Sequence, residues 1–593
     1  MKILVLLSKI RPYHAAVLML GLLFFLPFSL AWRVGPQPGF FLEAMAAGLL
    51  LLMVLGVAAS GLLPHKLPVS VWWLLAFAVF FPVQSIMMQL PYQGYAWLMC
   101  ALWLMLALAA WALAGLRTRI GLSGILQTIA TALLLAVLWQ SFVSWMQFFN
   151  LTRSFFGLMI HAPTPYYVFG QLGQRNHLGH FMMWGLLATA YLFAERRLSV
   201  YLSLFSLLVI SATLGIISSR TILLYIAFLL PICLFYSIRR PEQRRMALTV
   251  ICALLTVLLA QWALPILFNH LGIDMQSGLE RATDGGGETA SRLHEWHKAW
   301  LVFLDKPWFG VGWMGYAYQS MDKAQLFTFN DIPHLNVLFT HCHNVILQLL
   351  AEVGLVGTLL LAGGCLWMMR ALFRLPASHH ALLLGSVISV SLIHSMLEYP
   401  LWYVYFMLPF FVLLLLAANQ DTSERLPATR FTHNMVLLAV CCIFGAVLYQ
   451  SFQYKRLVKL NTPTTVNQCH ANAEALHQFA VQSLFLSYYA DAASTRCLGL
   501  MFAPQHDLPW LSATLQRSAT FRPFPTQAVQ WGVQQVHDGH HAAAQDWMFA
   551  IWRYYPRRVT GDHILLETQP ELAPLRTSAN RVRALENIES TPN

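Results

Sequence analysis

Charged residues are scarce in this chain. Only 10% of its 593 residues are Asp, Glu, Lys or Arg, whereas 58% are hydrophobic. A water-soluble protein of this length needs far more charge to cover its surface, so the composition excludes an ordinary soluble globule. Many apolar runs approach or exceed the length that crosses a bilayer as a helix. Because helices satisfy the backbone within lipid, the sequence predicts an all-α polytopic membrane protein.

A cleavable signal peptide is also lacking. The first apolar run shows no convincing small-residue cleavage site, and we interpret it as the first span. Hydropathy predicts about thirteen spans in all. They lie near residues 14–32, 40–63, 70–88, 96–115, 124–148, 177–194, 198–217, 221–238, 247–268, 344–369, 380–397, 400–419 and 434–452.

The basic residues are distributed unevenly about these spans. With the N-terminus in the cytoplasm, the inside segments hold sixteen Lys or Arg residues, and the short outside loops hold only Arg33, Arg153, Arg175 and Arg220. This bias predicts a cytoplasmic N-terminus. An odd number of spans then places the loop 269–343 and everything after residue 452 outside. The net charge of +12 is thereby explained by topology rather than by nucleic-acid binding.

The predicted spans divide the chain into three parts. Residues 1–452 form a transmembrane body, and within it residues 269–343 form a large outside loop. Leu293, Trp296 and Trp300 in that loop have the spacing of an apolar helix face, which predicts a helix lying on the membrane surface. Residues 453–593 form a polar, helical tail of domain size, which resembles tetratricopeptide helix pairs without showing a clean repeat period.

Cysteine spacing points to no metal centre. Seven of the nine cysteines lie in or beside apolar spans, where cysteine usually acts as a small hydrophobic residue. The other two, Cys469 and Cys497, fall in the outside tail. They could pair in an oxidising compartment, but spacing alone leaves the pairing open.

The stretch "FTHCHNVILQLLAEVGLVG", residues 339–357, places two histidines beside an apolar run. His341 and His343 bracket Cys342, which raises the alternative of a metal site. Residues two apart on a helix point in different directions, and no second ligand pair of standard spacing is nearby, so we predict no metal. At the outer mouth of the helix, His343 could act as a general base or orient a nucleophile. Its alternative is a plain interfacial histidine.

A polar stripe follows within the predicted helix. Asn344, Gln348 and Glu352 are four residues apart and share one helix face. Although acids within spans often indicate function, we interpret Glu352 as an interior hydrogen-bonding group that fixes packing. In one straight helix, His343 and Glu352 would point to opposite sides.

Several outside residues suggest an anion site. Arg175 lies in "GQLGQRNHLGHF", Arg220 lies in "SSRTILL", and Arg281 and Arg292 lie in the long loop. Guanidinium groups suit phosphate oxygens, so the cluster predicts a lipid pyrophosphate ligand. The alternative for "GQRNHLG" is helix capping at the interface.

Another outside stretch, "HSMLEYPLWYVYF", begins at His394. Glu398 lies four residues further on, on the same face of the predicted helix. This spacing favours a structural pair over a catalytic one.

Three of these stretches carry a resemblance. "THCHNVILQLLAEVGLVG" resembles the His-Asn…Glu-x-Gly signature of O-antigen ligases and Wzy-type polymerases, and "SRLHEWHKAW…PWFGVGWMGY" resembles the loop that precedes it. "GQLGQRNHLGHF" resembles a motif of the PglL-type protein O-oligosaccharyltransferases within that superfamily. The stretch "HSMLEYPLWY" and the outside tail are similar to that branch as well.

The resemblance implies a metal-independent, cofactor-free glycosyltransferase of the GT-C type in a bacterial inner membrane. It would transfer a glycan en bloc from undecaprenyl pyrophosphate to Ser or Thr of a periplasmic protein such as pilin. Its partners would be this donor, the acceptor protein and membrane lipids, with no nucleic acid. His343 would activate or orient the acceptor, and Arg220 and Arg292 would hold the pyrophosphate. The substrate-binding set also includes Arg281, Gln174, Arg175, Asn176, His177, Asn344 and Glu398, and the structural set comprises Glu352 and His394.

Other functions remain as alternatives. An O-antigen ligase would use the same kind of donor with lipid A-core as acceptor, and a Wzy-type polymerase would join glycan units. A transporter could use Glu352 and Glu398 in a proton path. However, the sequence shows no inverted repeat and no paired broken helices.

Overall fold

The computed structural model describes residues 12–155, 157–275, 286–327, 337–418, 422–425, 430–498 and 508–586. Arg281, one of the predicted pyrophosphate ligands, lies outside these residues. In chain order, the described helices before the long loop are α1 (Pro12–Leu23), α2 (Leu26–Ser29), α3 (Phe40–Ala59), α4 (Val69–Met87), α5 (Gly94–Phe148), α6 (Arg175–Ala194), α7 (Val200–Ile216), α8 (Arg220–Arg239) and α9 (Pro241–His270).

The long loop and the rest of the body follow. They contain α10 (Gly286–Asp305), α11 (Tyr316–Ala324), α12 (Val345–Arg374), α13 (His379–Ser395) and α14 (Val404–Ala418). Short 3-10 turns occur at Thr152–Phe155 and Pro400–Trp402. Helix α15 (Arg430–Asn461) then leads out of the body. One apolar core runs through the helices of the body and includes the fully buried side chains of Trp103, Trp184 and Tyr405, whereas the buried apolar residues of α10 and α11 belong to separate clusters.

The helices have the length and composition of membrane spans. Among the described residues, eight helices are long and apolar enough to cross a membrane, and α7, α13 and α14 are shorter apolar helices. Helix α5 is 55 residues long and changes direction at Gly121, where φ is +72°, so it covers two of the predicted spans. The polytopic membrane fold is therefore confirmed, and the count of thirteen spans stays a prediction.

The body also contains a small β-ribbon. Strands β1 (Lys66–Pro68) and β2 (Thr422–Arg425) pair antiparallel, with Lys66 opposite Arg425. The helical fold thus includes one short ribbon that the sequence did not indicate. The strands connect segments at the end of the bundle that the sequence assigns to the cytoplasm.

The C-terminal part is a set of helices that packs on the body. It contains α16 (Val466–Gln482), α17 (Ser487–Leu498), α18 (Leu511–Phe521), α19 (Pro525–His537), α20 (His541–Tyr554), α21 (Pro556–Thr568) and α22 (Ala573–Glu586), with a 3-10 turn at Pro570–Leu572. Residue 452, the predicted end of the transmembrane body, falls inside the continuous helix α15, and this division of the chain stays a prediction. The resemblance to tetratricopeptide pairs remains a prediction.

One disulfide lies within this C-terminal part, and one buried hydrogen bond ties it to the body. Cys469 and Cys497 form the disulfide that the sequence left open, and it ties α16 to α17. The Tyr92 hydroxyl of the body donates to Asp491 at 2.8 Å, and Arg517 pairs with the same carboxylate at 2.6 Å. The C-terminal helices are therefore bound to the turn between α4 and α5.

The long loop contains the predicted amphipathic helix. In α10, Leu293 and Trp300 are 57% and 43% exposed. The opposite face buries Ala299 and Val302 together with an ion pair between Glu295 and Lys298. The apolar face that the sequence indicated is therefore exposed at Leu293 and Trp300, whereas Trp296 is half-buried.

Candidate functional site

A polar pocket of about 330 Å³ opens where α6, α8 and α10 meet the segment that precedes α12. Its lining includes seven of the residues that the sequence singled out. They are Gln174, Arg175, Asn176, Arg220, Arg292, His343 and Glu398. These residues lie up to 224 positions apart in the chain, so the fold alone brings them together.

Glu398 is the centre of the hydrogen bonding in this pocket. Its carboxylate is buried and accepts from Asn176 Nδ2 at 2.7 Å, Arg292 at 2.9 Å and Gln174 Nε2 at 3.1 Å. Nε2 of His343 lies 3.7 Å from Glu398 Oε2. Glu398 lies in the turn after α13, where its amide donates to the carbonyl of His394 at 2.9 Å while its carboxylate turns to these other partners. The predicted His394–Glu398 pair is replaced by this network.

His343 is held in an uncommon backbone conformation. Its φ is +60°, in the left-handed region that non-glycine residues seldom adopt. The amide of His343 donates to Nδ1 of His341 at 2.8 Å, which braces this conformation. The His341 ring in turn stacks on Tyr399 and meets Trp402 edge-on. Nδ1 of His341 is thus occupied by the amide of His343, and its ring packs on Tyr399 and Trp402.

Asn344 and Cys342 complete the start of α12. The Asn344 side chain caps the helix by accepting from the amides of Ile346 and Leu347 at 3.1 Å. The Cys342 amide donates to Gln348 Oε1 at 2.8 Å, and its thiol is fully buried. Asn344 was predicted as a substrate ligand. Its side-chain oxygen is instead occupied by the helix cap.

The electrostatic setting keeps the His343 imidazole neutral. Burial lowers its pKa below the usual 6.5, and the nearby Arg292 lowers it further, while Glu398 acts in the opposite direction. Burial also lowers the pKa of His341 strongly, with a smaller contribution from His343. A neutral imidazole can accept a proton from a hydroxyl group.

Two helix N-termini point into the same pocket. Helix α6 starts at Arg175 after the N-cap residue Gln174, and α8 starts at Arg220 after Ser219. Neither N-cap side chain accepts a hydrogen bond from its own first turn. Ser219 Oγ instead donates to Asn176 Oδ1 at 2.7 Å and ties the two helix starts together. Helix N-termini carry partial positive charge and free amide donors, which suits an anion.

A set of buried glutamines shapes the loop that leads to Gln174. Gln147 Oε1 accepts from the amides of Phe169 and Gly170, and Gln140 Oε1 accepts from the amide of Gln171. Both glutamines come from α5 and are fully buried. Arg33 Nε donates to the carbonyl of Gln171 at 3.0 Å. The position of Gln174 is therefore set by side chains more than 25 residues away in the chain.

Three predicted site residues are buried and are not part of the described pocket lining. His177 is buried, with its ring 5.1 Å from Tyr403 and 5.4 Å from His394. His394 Nδ1 and the Tyr225 hydroxyl are 2.6 Å apart. His394 and His177 belong to the same buried cluster, and the structural role of His394 stays a prediction. Glu352 is fully buried as predicted, beside a break in α12.

The structure adds lining residues that the sequence did not single out. They are Tyr167, Ser218, Ser219, Thr221, Ser291 and Phe339. The Arg175 guanidinium lies 4.2 Å from the centroid of the Tyr167 ring, so Tyr167 orients this arginine. Ser218, Ser219 and Thr221 are neighbours of Arg220 and could have been found by extending that motif. Nothing in the sequence marked Tyr167 as a site residue except that it lies shortly before "GQLGQRN".

Comparisons with known proteins agree with the positions of these motifs. Residues 204–362 match the O-antigen ligase family, residues 168–193 match a protein glycosylation ligase family, and residues 382–561 match the C-terminal part of a virulence factor membrane-bound polymerase. The first two matches cover all the lining residues between α6 and α8 and the whole of the long loop.

Two curated relatives come from Acinetobacter baylyi strain ADP1. A general O-oligosaccharyltransferase is 27% identical over 361 residues, which are 58% of this chain and 60% of that protein. A ComP-specific O-oligosaccharyltransferase is 26% identical over 191 residues, or 32% of this chain and 33% of that protein. The alignments thus span less than two thirds of either relative. Together with the candidate spans, these matches indicate a multi-pass inner-membrane protein that is similar to the O-antigen ligase superfamily and, within it, to the PglL-type branch.

Proposed function

We propose that this chain is an O-oligosaccharyltransferase. It would move a preassembled glycan en bloc from undecaprenyl pyrophosphate to a Ser or Thr hydroxyl of a periplasmic protein, such as a pilin. The observation that carries this proposal is the meeting of Arg175, Arg220, Arg292 and His343 in one pocket. The names of the two relatives support the same reaction class.

The pyrophosphate of the donor would bind between α6, α8 and α10. Arg220 and Arg292 would pair with its oxygens, and the first amides of α6 and α8 would donate to it. Gln174, Arg175 and Asn176 would shape the wall of this site. Because the arginines stabilise the charge that grows on the leaving pyrophosphate, they would contribute more in the transition state than in the bound donor.

The lipid tail of the donor would enter a neighbouring apolar cavity of about 530 Å³. Val345 and Ile346 of its lining come two and three residues after His343, and Leu401 and Trp402 come shortly after Glu398. The apolar and polar cavities are therefore linked along two chain segments. Trp103, Trp313 and Phe411 form much of the apolar wall, which suits a polyprenyl chain.

His343 would act on the acceptor. The acceptor oxygen attacks the anomeric carbon, and the bond from that carbon to the pyrophosphate oxygen breaks with its electron pair leaving on the pyrophosphate. The hydroxyl proton passes to the neutral imidazole of His343. Direct displacement of this kind inverts the anomeric carbon. Glu398, which faces His343 Nε2, would hold the ring in position.

The topology follows from the charge bias. The N-terminus would lie in the cytoplasm, with thirteen spans, and the pocket and the C-terminal helices would lie on the periplasmic side. Helices α16–α22, with their resemblance to tetratricopeptide pairs, would then be available for the acceptor protein.

The experiment is deletion of the gene followed by intact-mass measurement of periplasmic proteins and pilin. We expect a glycan mass to disappear while lipopolysaccharide stays normal. Complementation with the wild-type chain should restore that mass, and complementation with His343→Ala at equal protein level should not. Full glycosylation by His343→Ala would overturn the role of His343.

The match to the O-antigen ligase family favours a second candidate, transfer of polysaccharide to lipid A-core. The same deletion separates the two. Truncated lipopolysaccharide with unchanged protein masses would favour the ligase. A third outcome, shortened glycan chains on an otherwise normal acceptor, would favour the polymerase that the C-terminal match names.

A further inference from the structure

Two interruptions of regular structure face each other beside the buried Glu352. Helix α12 is broken at Gly354, where φ is +66°, and residues 307–312 after α10 form successive turns. Their backbones pair: Val311 N donates to Ala351 O at 2.9 Å, Gly312 N to Glu352 O at 2.9 Å, Leu355 N to Pro307 O at 2.7 Å, and Val356 N to Trp308 O at 3.1 Å. Each break thus satisfies polar groups that the other exposes.

Glycine is required for this close approach. A Cβ atom on Gly354 would collide with the backbone of Trp308 and Gly310, and one on Gly310 would collide with the backbone of Glu352. Positive φ at both positions adds to the demand for glycine. The motifs "AEVG" and "PWFGVG" are therefore two halves of one backbone junction.

Gln84 of α4 locks the junction from a third side. Its buried side-chain amide donates to Phe309 O at 2.6 Å and to Glu352 O at 2.8 Å, and its Oε1 accepts from the amide of Trp313 at 3.3 Å. Helix α4, helix α12 and the turns after α10 are thereby joined at one level of the bundle.

The lengths of the adjoining helices match a hydrocarbon layer whose edge lies at this level. Gln84 lies in the last turn of α4, which is a candidate span that ends at Met87. Beyond the break, α12 retains residues 355–374, and twenty helical residues extend about 30 Å, the thickness of a hydrocarbon core. Both helices place residues 307–312 at the membrane boundary nearer the candidate site.

The side chains of the loop suit that location. Trp308 and Phe309 are 64% and 45% exposed, although they are large and apolar. They adjoin the outward surface of α4, where Ile86 and Met87 are 57% and 67% exposed. Irregular backbone is tolerated at membrane depth only when its polar groups are satisfied by protein, which is the arrangement seen here.

We infer that residues 307–312 form a re-entrant loop whose Trp308 and Phe309 side chains contact lipid at this boundary. The partner is the interfacial region and upper acyl chains of the bilayer, where tryptophan is favoured. Helix α10 is then anchored in lipid at one end. Its other end reaches the candidate site through Arg292, about 20 Å along the helix axis. This inference does not depend on the proposed reaction.

Cysteine accessibility tests it on the full chain in lipid nanodiscs. Trp308→Cys is compared with Ile86→Cys on the lipid-facing side of α4 and with Val481→Cys on α16, because all three native side chains are more than half exposed. A hydrophilic, membrane-impermeant maleimide is added, and peptide mass mapping separates the engineered thiol from the natural cysteines. Nanodiscs expose both faces of the membrane, so the result does not depend on topology.

We expect Trp308→Cys to react at least about tenfold more slowly than Val481→Cys, and as slowly as Ile86→Cys, since lipid excludes the reagent and disfavours the thiolate. If the labelling rate of Trp308→Cys were less than about tenfold below that of Val481→Cys, the inference would be overturned. Phe309→Cys, tested in the same way, gives a second reading if Trp308→Cys fails to fold. Labelling of all variants after denaturation confirms that each thiol is reactive.

Discussion

The guanidinium of Arg292 donates to the carboxylate of Glu398 at 2.9 Å, across 106 residues of chain. This contact joins the helix of the long loop to the turn after α13. The same carboxylate accepts hydrogen bonds from the side-chain amides of Asn176 and Gln174 at the start of α6. One buried acid therefore sets the relative positions of three segments before any ligand is bound.

Loss of the negative charge at Glu398 should slow transfer. Glutamine keeps the size of the side chain but places an NH₂ group among donors, so we expect Glu398→Gln to lower kcat about tenfold to a hundredfold. The matched control is Glu195→Gln, which breaks a carboxylate–histidine contact of 2.9 Å with His379 at the other end of α6. Assays with purified protein and lipid-linked donor would measure both. Equal rates in the two variants would contradict the role of Glu398.

The pH dependence of transfer should reflect His343. A base acts in its neutral form, and burial and Arg292 lower the pKa of His343 while Glu398 raises it. The rate should therefore be fully present above pH 6.5 and be lost only as pH falls through the lowered pKa.

Removing the charge of Glu398 should shift this acid limb to still lower pH. His341 and His177 also face His343, and Arg292 remains in place, so the shift should be in one direction only. The profile of kcat/KM against pH measures it. A shift of the acid limb to higher pH in Glu398→Gln would refute the assignment.

Arg292→Lys should weaken binding of the donor. Lysine keeps the positive charge but lacks the planar fork, so we expect KM for the lipid pyrophosphate donor to rise about tenfold. Arg153→Lys is the control, because Arg153 is an exposed arginine that bonds to His161 away from the described pocket lining. A normal KM in Arg292→Lys would show that bidentate contact is not used.

Alanine at Gly354 should destabilise the body. Positive φ and backbone collisions together predict a loss of about 2–5 kcal/mol. Gly363→Ala in the same helix is the control, since a Cβ there meets nothing within 4 Å, and alanine in a helix should stabilise by about 0.5–1 kcal/mol. Thermal unfolding midpoints should move in opposite directions. If the unfolding midpoints of both variants moved in the same direction, the result would argue against the backbone junction at Gly354.

The disulfide should stabilise the C-terminal helices. Cys469 and Cys497 are 28 residues apart, and opening a loop of that size typically costs about 2–4 kcal/mol. Cys469→Ser should therefore make α16 and α17 more sensitive to limited proteolysis. Cys441→Ser, which removes an exposed free cysteine of α15, should leave the cleavage pattern unchanged. Equal protection in both variants would be evidence against a stabilising disulfide.

Local patterns predicted that most segments are helices but did not predict which segments pack against one another. Low charge and long apolar runs indicated membrane helices, because a bilayer imposes that composition wherever a chain crosses it. Arg220 and Arg292 stood out because outside loops are otherwise poor in basic residues. Glu398 was read with His394 because they are four apart, yet the helix ends at Ser395 and the carboxylate turns toward Arg292 instead.

The sequence by itself determined that this is a helical membrane protein, since hydropathy and charge act through local contact with lipid and water. It also indicated which motifs carry polar groups that are costly in a membrane. Only the tertiary structure decided that Glu398 joins three of these motifs and that His341 braces His343. The break at Gly354 and its pairing with residues 307–312 also required the fold, because backbone hydrogen bonds between distant segments leave no periodic signal in the chain.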